Sequence, residues 1–545
     1  MSAGVISPAS VARPHAAHAP GRAVTVLAIR QIRRGGLIVV VLLAGLTALV
    51  AATYGRVMAD PAAVGSMQAL AGNPAIRTLF GEPAGLDTAG GFTVWRVGTF
   101  LAVLLGTWAI LATTRITRGE EDTGRWDMLL AGRLPLRAVL ARHLAAVAIV
   151  PVAAGTGIAA VLVASGTPAR GALVHGAGTA LLGLFFVAVA ACTAQILPAR
   201  APATGLAVAV LGSGLLARMV GDGVTELGRL RWLSPFGLLA LSGPYLQDRV
   251  LPLLLLLAAT LVVTAAALAA AGRREVRGGL VTFASGRDAR LTLLAGVETF
   301  AVRRVLRPLT GWTIGVGAYY LLIGLTAVSI TGFLAGNPAL ADGAAEAGFA
   351  EVGSVAGLTA TLFAILAMPA GGFIAVRMGA FVTAETDRLL VTLAAGPVSR
   401  TRLIGAEITA TTGAAVTLVT AAGLATWAGV TVTGGDLSLA GALSGVWNIL
   451  PIVLLSLGAA VFAAGWAPRL VSLIGGLPAT GGFLLLVIAD SVAAPGGVRD
   501  LSPFAHLAPV PLSEPAWTAS TVMLVAAAAL TVVGVAGYRR RDLGS

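Results

Sequence analysis

Long apolar runs separated by short polar stretches recur from one end of the chain to the other. A helix needs ~20 consecutive apolar residues to cross the hydrocarbon of a bilayer, and twelve runs approach that length. The first six are Leu37–Tyr54, Phe92–Thr114, His143–Ala164, Leu173–Leu197, Gly205–Val220 and Val250–Ala271. The second six are Leu309–Phe333, Val355–Val376, Ile408–Val432, Leu439–Trp466, Val471–Ile488 and Trp517–Gly537. The fifth and eleventh are short and glycine-rich. The expected fold class is therefore all-α and integral to the membrane, with about twelve transmembrane helices. Pro151, Pro369 and Pro451 lie inside apolar runs, where each removes a backbone donor and is expected to kink its helix.

The polar stretches repeat as well as the apolar ones. A basic amphipathic segment precedes the first span of each six, Ala23–Gly35 and Leu291–Arg307. Each sets Arg on one face and Leu, Ile or Val on the other, the pattern of a helix lying at a membrane interface near anionic headgroups. A long acidic-then-basic loop follows the second span of each six, and the tetrapeptide Leu-Ser-Pro-Phe occurs at Leu233–Phe236 and again at Leu501–Phe504. The expected organisation is two parallel six-helix repeats related by an axis along the membrane normal. Residues 1–22, which lack the apolar core of a signal peptide, are expected to form a disordered tail. Residues 23–272 form the first half with its interfacial helix, 273–290 a linker, and 291–545 the second half with its own interfacial helix.

Composition agrees with lipid as the main solvent. The chain is 57% hydrophobic and 11% charged, with a mean hydropathy of +0.90, where a soluble domain carries roughly 25% charged residues. The net charge of +13 comes entirely from arginine, because the sequence contains no lysine. If the N-terminus is cytoplasmic, 28 of the 37 arginines fall in inner segments and 8 in outer ones, with Arg218 inside a span. That asymmetry predicts a plasma-membrane protein with both termini in the cytoplasm and an even number of spans. It also accounts for the basic charge without a nucleic-acid partner. Cys192 is the single cysteine, and the five histidines show no metal-ligand spacing on one helix, so no metal or resident cofactor is expected.

The two long loops carry the candidate chemistry. The first contains Glu120, Glu121 and Asp122, then Arg125, a short apolar helix Met128–Ala131, Gly132, and a Pro with basic residues; the second contains Glu385, Asp387 and Arg388, Leu389–Ala394, Gly396 and Pro397. Aligning Gly132 with Gly396 places Glu121 on Glu385. Acidic residues suit a helix N-terminus, and Gly followed by Pro ends the helix. Two copies of a helix charged on one face and apolar on the other suit docking onto a two-fold partner. The lysine of an ATP-binding P-loop is absent from the whole chain, so any ATP that drives this protein is bound by another polypeptide.

The stretch Glu385–Arg400 (ETDRLLVTLAAGPVSR) resembles the coupling-helix loop of ABC type-2 exporter permeases. The layout of nearly the whole chain is similar to the large actinobacterial permeases described as exporters of polyketide antibiotics. The first loop departs from the pattern, with Arg133-Leu134-Pro135 where the second has Pro397-Val398-Ser399. The resemblance implies a permease, not an enzyme, that pairs with two copies of an ABC ATPase subunit. ATP and magnesium would reside on that partner. The implied ATPase-coupling residues are Glu120, Glu121, Asp122, Arg125, Glu385, Asp387 and Arg388. The implied cargo is an amphipathic or hydrophobic small molecule, whose binding residues are not identified. A major-facilitator-type transporter driven by a proton gradient is the alternative. Its loop signature is only approached by Gly119, Asp122, Gly124 and Arg125, with the spacing one residue short. A membrane-embedded transferase or protease would need a second catalytic group beside Glu120–Asp122, and none is placed to supply it. Arg96, Arg218, Asp222 and Asp490 lie near span ends, close enough for their charges to reach the interface. Each Ser-Pro of the tetrapeptides starts a helix or turn.

Overall fold

The computed structural model describes residues 20–58, 77–78, 81–83, 85–281, 292–336, 353–386, 398–491 and 494–541. Among the described residues, twelve helical stretches, each one helix or two in tandem, are long and apolar enough to cross a membrane, and they match the twelve apolar runs one for one. The described residues fall into two compact units, one within Met1–Ala59 and Phe80–Ser285, the other within Asp60–Leu79 and Gly286–Ser545.

The first unit contains α1 (Pro20–Met58), α2 (Ala89–Thr114), α3 (Arg125–Leu130), α4 (Leu136–Ala164), α5 (Ala169–Ile196), α6 (Arg200–Gly223), α7 (Pro235–Leu241) and α8 (Leu251–Ala271). The second contains α9 (Val297–Ala335), α10 (Val355–Thr386), α11 (Arg400–Val432), α12 (Leu439–Trp447), α13 (Leu450–Trp466), α14 (Val471–Gly476), α15 (Gly482–Ser491), α16 (Gly496–Arg499) and α17 (Trp517–Arg540). Within the first unit α1 packs on α4, α2 on α5, and α5 on α8. Within the second, α9 packs on α11, α10 on α13, and α13 on α17. The first span thus meets the third, the second meets the fourth, and the fourth meets the sixth in each unit.

With little hydrophobic drive between helices in lipid, such pairs are held by close contact, which small residues permit. The third and fourth spans of the first unit, α4 and α5, also pack this way: a Cβ on Gly155 would come 2.3 Å from the Gly176 carbonyl oxygen, and one on Gly176 would come 2.5 Å from that of Gly155. Gly465 approaches the backbone of Gly534 equally closely, with 2.3 Å between its notional Cβ and the Gly534 oxygen.

The two basic segments are not separate interfacial helices. Ala23–Gly35 continues without a break into the span that follows it in α1, and the second segment does so from Val297 on in α9, both helices being 39 residues long. At 1.5 Å per residue each helix is about 58 Å long measured along its axis, against roughly 30 Å of hydrocarbon. Gly35 and Gly36 cost helix propensity but do not end α1, and Gly36 lies against Val150 and Trp108. Pro308 lies inside α9 without ending it. The apolar faces also turn to protein. Val24, Ala28 and Ile32, spaced by one helical turn, are buried in a cluster with Ile116, Trp126, Val139 and Leu140, and Val297, Ala301, Val305 and Leu309 are buried in the same register on α9.

Of the three intraspan prolines, only Pro451 accompanies a break. The helix stops at Asn448 and Ile449, and Asn448 Nδ2 donates to the Ala508 carbonyl at 2.8 Å; α4 and α10 run on through Pro151 and Pro369. The weak eleventh span is α14 joined to α15 by a wide π turn, Leu477–Gly481.

Both tetrapeptides start helices, as expected. Ser234 caps α7, accepting from Gly237 N at 3.1 Å and donating to the Gly214 carbonyl at 2.6 Å. Ser502 caps a 3-10 turn, Pro503–His506, accepting from Phe504 N at 3.2 Å and donating to the Gly482 carbonyl at 2.8 Å. In both units the serine reaches a glycine twenty residues upstream, and the following Pro and Phe pack on that glycine.

Candidate functional site

The acidic residues after the second spans take different roles. A π turn, Arg115–Gly119, widens the end of α2 and is followed by one helical turn, Glu120–Asp122. The extra residue in such a turn re-aims the side chains beyond it. Arg118 and Glu121 are turned inward and are 0% and 1% exposed. Glu120, with 15% of its side chain exposed, pairs at 2.9 Å with Arg125, whose side chain is 62% exposed.

A buried carboxylate is tolerated only when it is paired and fully hydrogen-bonded, and Glu121 is both. Arg274 Nη1 and Nη2 donate to its two oxygens at 2.5 and 2.6 Å, a bidentate fork. Arg277 N donates to Oε1 at 2.6 Å, and Arg118 Nη1 lies 3.2 Å from Oε2. Arg274 Nε also donates to Gln195 Oε1 at 2.7 Å. Glu121 therefore joins the end of α2 to the end of α5 and to the segment that follows α8.

That segment was expected to open a linker at residue 273. Instead its first part is built into the unit. Arg118 donates to the carbonyls of Gly278 and Arg277 at 3.0 and 3.2 Å, and Leu280 N and Val281 N each donate at 3.0 Å to the carbonyls of Gln195 and Ile196. Gly279 lies so close to the chain at Ile196–Pro198 that a Cβ would come 2.7 Å from the Ile196 oxygen. Asp122 ties in α6, accepting from Arg200 N at 2.8 Å.

The expected short apolar helix is α3. Gly124 in the left-handed region (φ 77°) turns the chain into it. Trp126 is buried 5.1 Å from the His143 ring, whereas Met128 is 74% exposed. Asp127 pairs with Arg277 at 2.5 Å. The face left open around Glu120 carries Arg125, Met128 and Arg133.

In the second unit Glu385, which aligns with Glu121, is also buried at the end of its helix. It pairs with Arg541, just past α17. Arg541 Nη1 donates to the Ala464 carbonyl near the end of α13 at 2.7 Å, and its guanidinium lies 5.4 Å from the Tyr538 ring centre. Arg400, opening α11, donates to the Arg541 carbonyl. In each unit a glutamate ending the second span thus grips an arginine placed after the sixth, which also holds the end of the fourth. Asp387 and Arg388 lie outside the described residues.

A further buried cluster lies in the second unit. Glu407 of α11 pairs with Arg377 of α10 and, at 3.5 Å, with Arg304 of α9, so the basic start of α9 is tied to the second and third spans. Arg402 and Glu298 add an exposed pair at 2.7 Å. Sequence reasoning did not single out Arg118, Arg274, Gln195, Glu407 or Arg541 as site residues. The Arg274–Glu121 and Arg541–Glu385 partners stand 153 and 156 residues apart. The legible signal was an arginine just past each sixth span, which charge asymmetry alone explains.

Residues 22–271 and 294–539 match the family described as "Multidrug efflux system permease Rv1217c, C-terminal domain". Over 480 residues the chain is 31% identical to the multidrug efflux system permease protein Rv1217c of Mycobacterium tuberculosis, covering 87% of this chain and 86% of that protein. With twelve membrane-length helices and a match over most of its length, the chain belongs to this family of multidrug efflux permeases, multi-pass membrane transporters rather than enzymes.

Proposed function

We propose that the chain is the membrane permease of an ATP-driven ABC exporter, moving amphipathic or hydrophobic compounds outward by alternating access. Power would come from two copies of a separate ATPase subunit carrying ATP and magnesium. Both termini would be cytoplasmic and the two units parallel repeats. The carrying observation is the matched pair of buried carboxylates, Glu121 and Glu385, each joining the second, fourth and sixth spans of its unit where the long loop departs. A push on the loop is thereby delivered to three helices together. The absence of lysine supports a separate ATPase, since this chain can form no P-loop. The two stretches matched by one family, one in each unit, and the repeated span pairings support the duplication.

The contacts divide the candidate coupling residues by role. Glu121, Asp122 and Glu385 hold spans together, so replacing them tests packing as much as coupling. Arg125, held by Glu120, and Met128 are open to a partner, and Asp387 and Arg388 are the corresponding candidates in the second loop. The test is co-expression with a candidate ATPase, followed by pull-down, ATP hydrolysis and drug efflux from vesicles. Glu120→Ala with Arg125→Ala is expected to weaken ATPase capture and uncouple hydrolysis from export while the permease remains folded. Efflux by the purified chain on an ion gradient alone would overturn the proposal.

A further inference from the structure

At the opposite end of the first unit from Glu121 lies a cavity of about 290 Å³ among the starts of α2 and α5, the end of α6, and α7. One wall is apolar, with Val94, Phe236, Leu239 and Leu241; the other carries Arg218, Asp222, Arg231, Glu82 and His175. Arg249 and Gln247 stand at the mouth.

The polar wall is a built arrangement. Arg218 Nε lies 2.6 Å from Asp222 Oδ2 within a buried pair, and Arg231 Nη1 donates to Glu82 at 2.8 Å and lies 3.6 Å from Asp222 Oδ1. Gly81, at φ 96°, crosses directly over the Arg218 guanidinium, where any Cβ would collide, and its carbonyl accepts from Trp95 Nε1 at 3.0 Å. His175 is 2% exposed, lines the cavity, and has a buried Nδ1 with no hydrogen-bond partner among the described residues. A buried polar atom left so is costly unless something fills the need.

The mouth is tied by contacts as well. Tyr245 wedges between α2 and α5, with its ring against Gly90 and Gly171 and its hydroxyl 2.9 Å from Thr167 Oγ1. Arg249 N donates to the Ser242 carbonyl at 2.7 Å and closes the loop that carries Gln247 and Arg249. Three arginines and two carboxylates line the cavity, a balance of +1. No ion pair is found for the Arg249 guanidinium among the described residues. Beside it, Leu246, Val250, Leu251 and Leu254 expose a continuous apolar edge.

We propose that this cavity receives the anionic head of an amphiphile whose hydrocarbon chain lies along the Leu246–Leu254 edge. Arg249 supplies the uncompensated charge, His175 a hydrogen bond at the floor, and Phe236 and Leu239 the contact for the first carbons. The volume falls just below the ~300–1,000 Å³ of pockets that enclose a whole small ligand, which suits a head with its tail outside. A free acid and an anionic phospholipid share this chemistry. The inference is independent of how transport is powered and is tested without an ATPase.

The probe is stearate carrying a nitroxide on carbon 5, added to the purified full chain in phosphatidylcholine nanodiscs. Trp95 lines the cavity and reports by fluorescence quenching; the portion lost in Trp95→Phe is its own. Saturable quenching is expected, about tenfold or more weaker for the uncharged methyl ester and for Arg249→Gln, the loss of one charge-assisted contact. His175→Phe is expected to weaken it too. Arg249 is exposed, so its replacement leaves the fold intact, and gel filtration checks this. Phosphatidylglycerol bearing the same label separates the sources: saturation by the lipid assigns an outer-leaflet headgroup, saturation by the acid alone a soluble amphiphile, and either supports the proposal. Equal quenching by acid and ester, or an unchanged Arg249→Gln, overturns it.

Discussion

Glu121→Gln is the sharpest test of the buried grip in the first unit. The substitution keeps shape and one acceptor oxygen but removes the charge that faces two guanidiniums, Arg118 at 0% exposure and Arg274 with its side chain at 2%. Glu121 accepts three hydrogen bonds at 2.5 to 2.6 Å and one further ion pair at 3.2 Å. Breaking a buried pair from one side costs about 3–5 kcal/mol, and because Gln retains one acceptor the lower end applies, ~3 kcal/mol. The strain falls on the segment after α8, whose hold on the unit includes the Glu121 contacts. Local opening there should become ~100-fold more populated, at 1.4 kcal/mol per factor of ten. Trypsin reads this directly, since it cuts after Arg274 and Arg277. When reclosing is faster than cleavage, the rate follows the opened population. The control is Glu120→Gln, which removes a single ion pair whose Arg125 partner is 62% exposed, so that solvent screening holds the loss to ~1 kcal/mol. Equal cleavage rates at Arg274 and Arg277 in the two variants would refute the load assigned to Glu121.

Arg541→Ala should lower the melting temperature of the whole chain by leaving Glu385 unpaired at a cost of about 2 kcal/mol, less than a fully buried pair because Arg541 is partly exposed; fluorescence-detected gel filtration after heating measures it. Ser234→Ala and Ser502→Ala should each cost about 1–2 kcal/mol through loss of the cap and of the bond to Gly214 or Gly482, and the two effects should add, because the sites lie in different units; denaturant titration of the single and double variants checks both. Gly155→Leu should abolish the folded yield, since even a Cβ meets the Gly176 carbonyl at 2.3 Å with backbone on both sides, whereas Gly166→Leu, at a position with nothing within 4 Å, should cost only the strain of its φ of 79°; monodisperse yield after purification separates them.

The sequence by itself determined the solvent and the number of crossings. Twelve apolar runs need only be long enough for lipid, and that requirement acts on each run alone. It also marked the acidic loop residues and the two serine caps, because these depend on neighbours a few residues away. It misjudged the basic segments before the first spans. Charge and apolar faces were read correctly, but whether such a helix ends on a surface or continues into the next span depends on what its apolar face meets. For Val24, Ala28 and Ile32 that is Trp126 and Val139, about a hundred residues away. Tertiary structure alone decided which member of Glu120-Glu121-Asp122 turns inward, because a single π turn rotates the helix end and the partners Arg274 and Gln195 arrive from the ends of two other spans. A carboxylate in a loop and a carboxylate buried between guanidiniums have the same letter in the sequence; only the long-range contact that compensates its charge tells them apart.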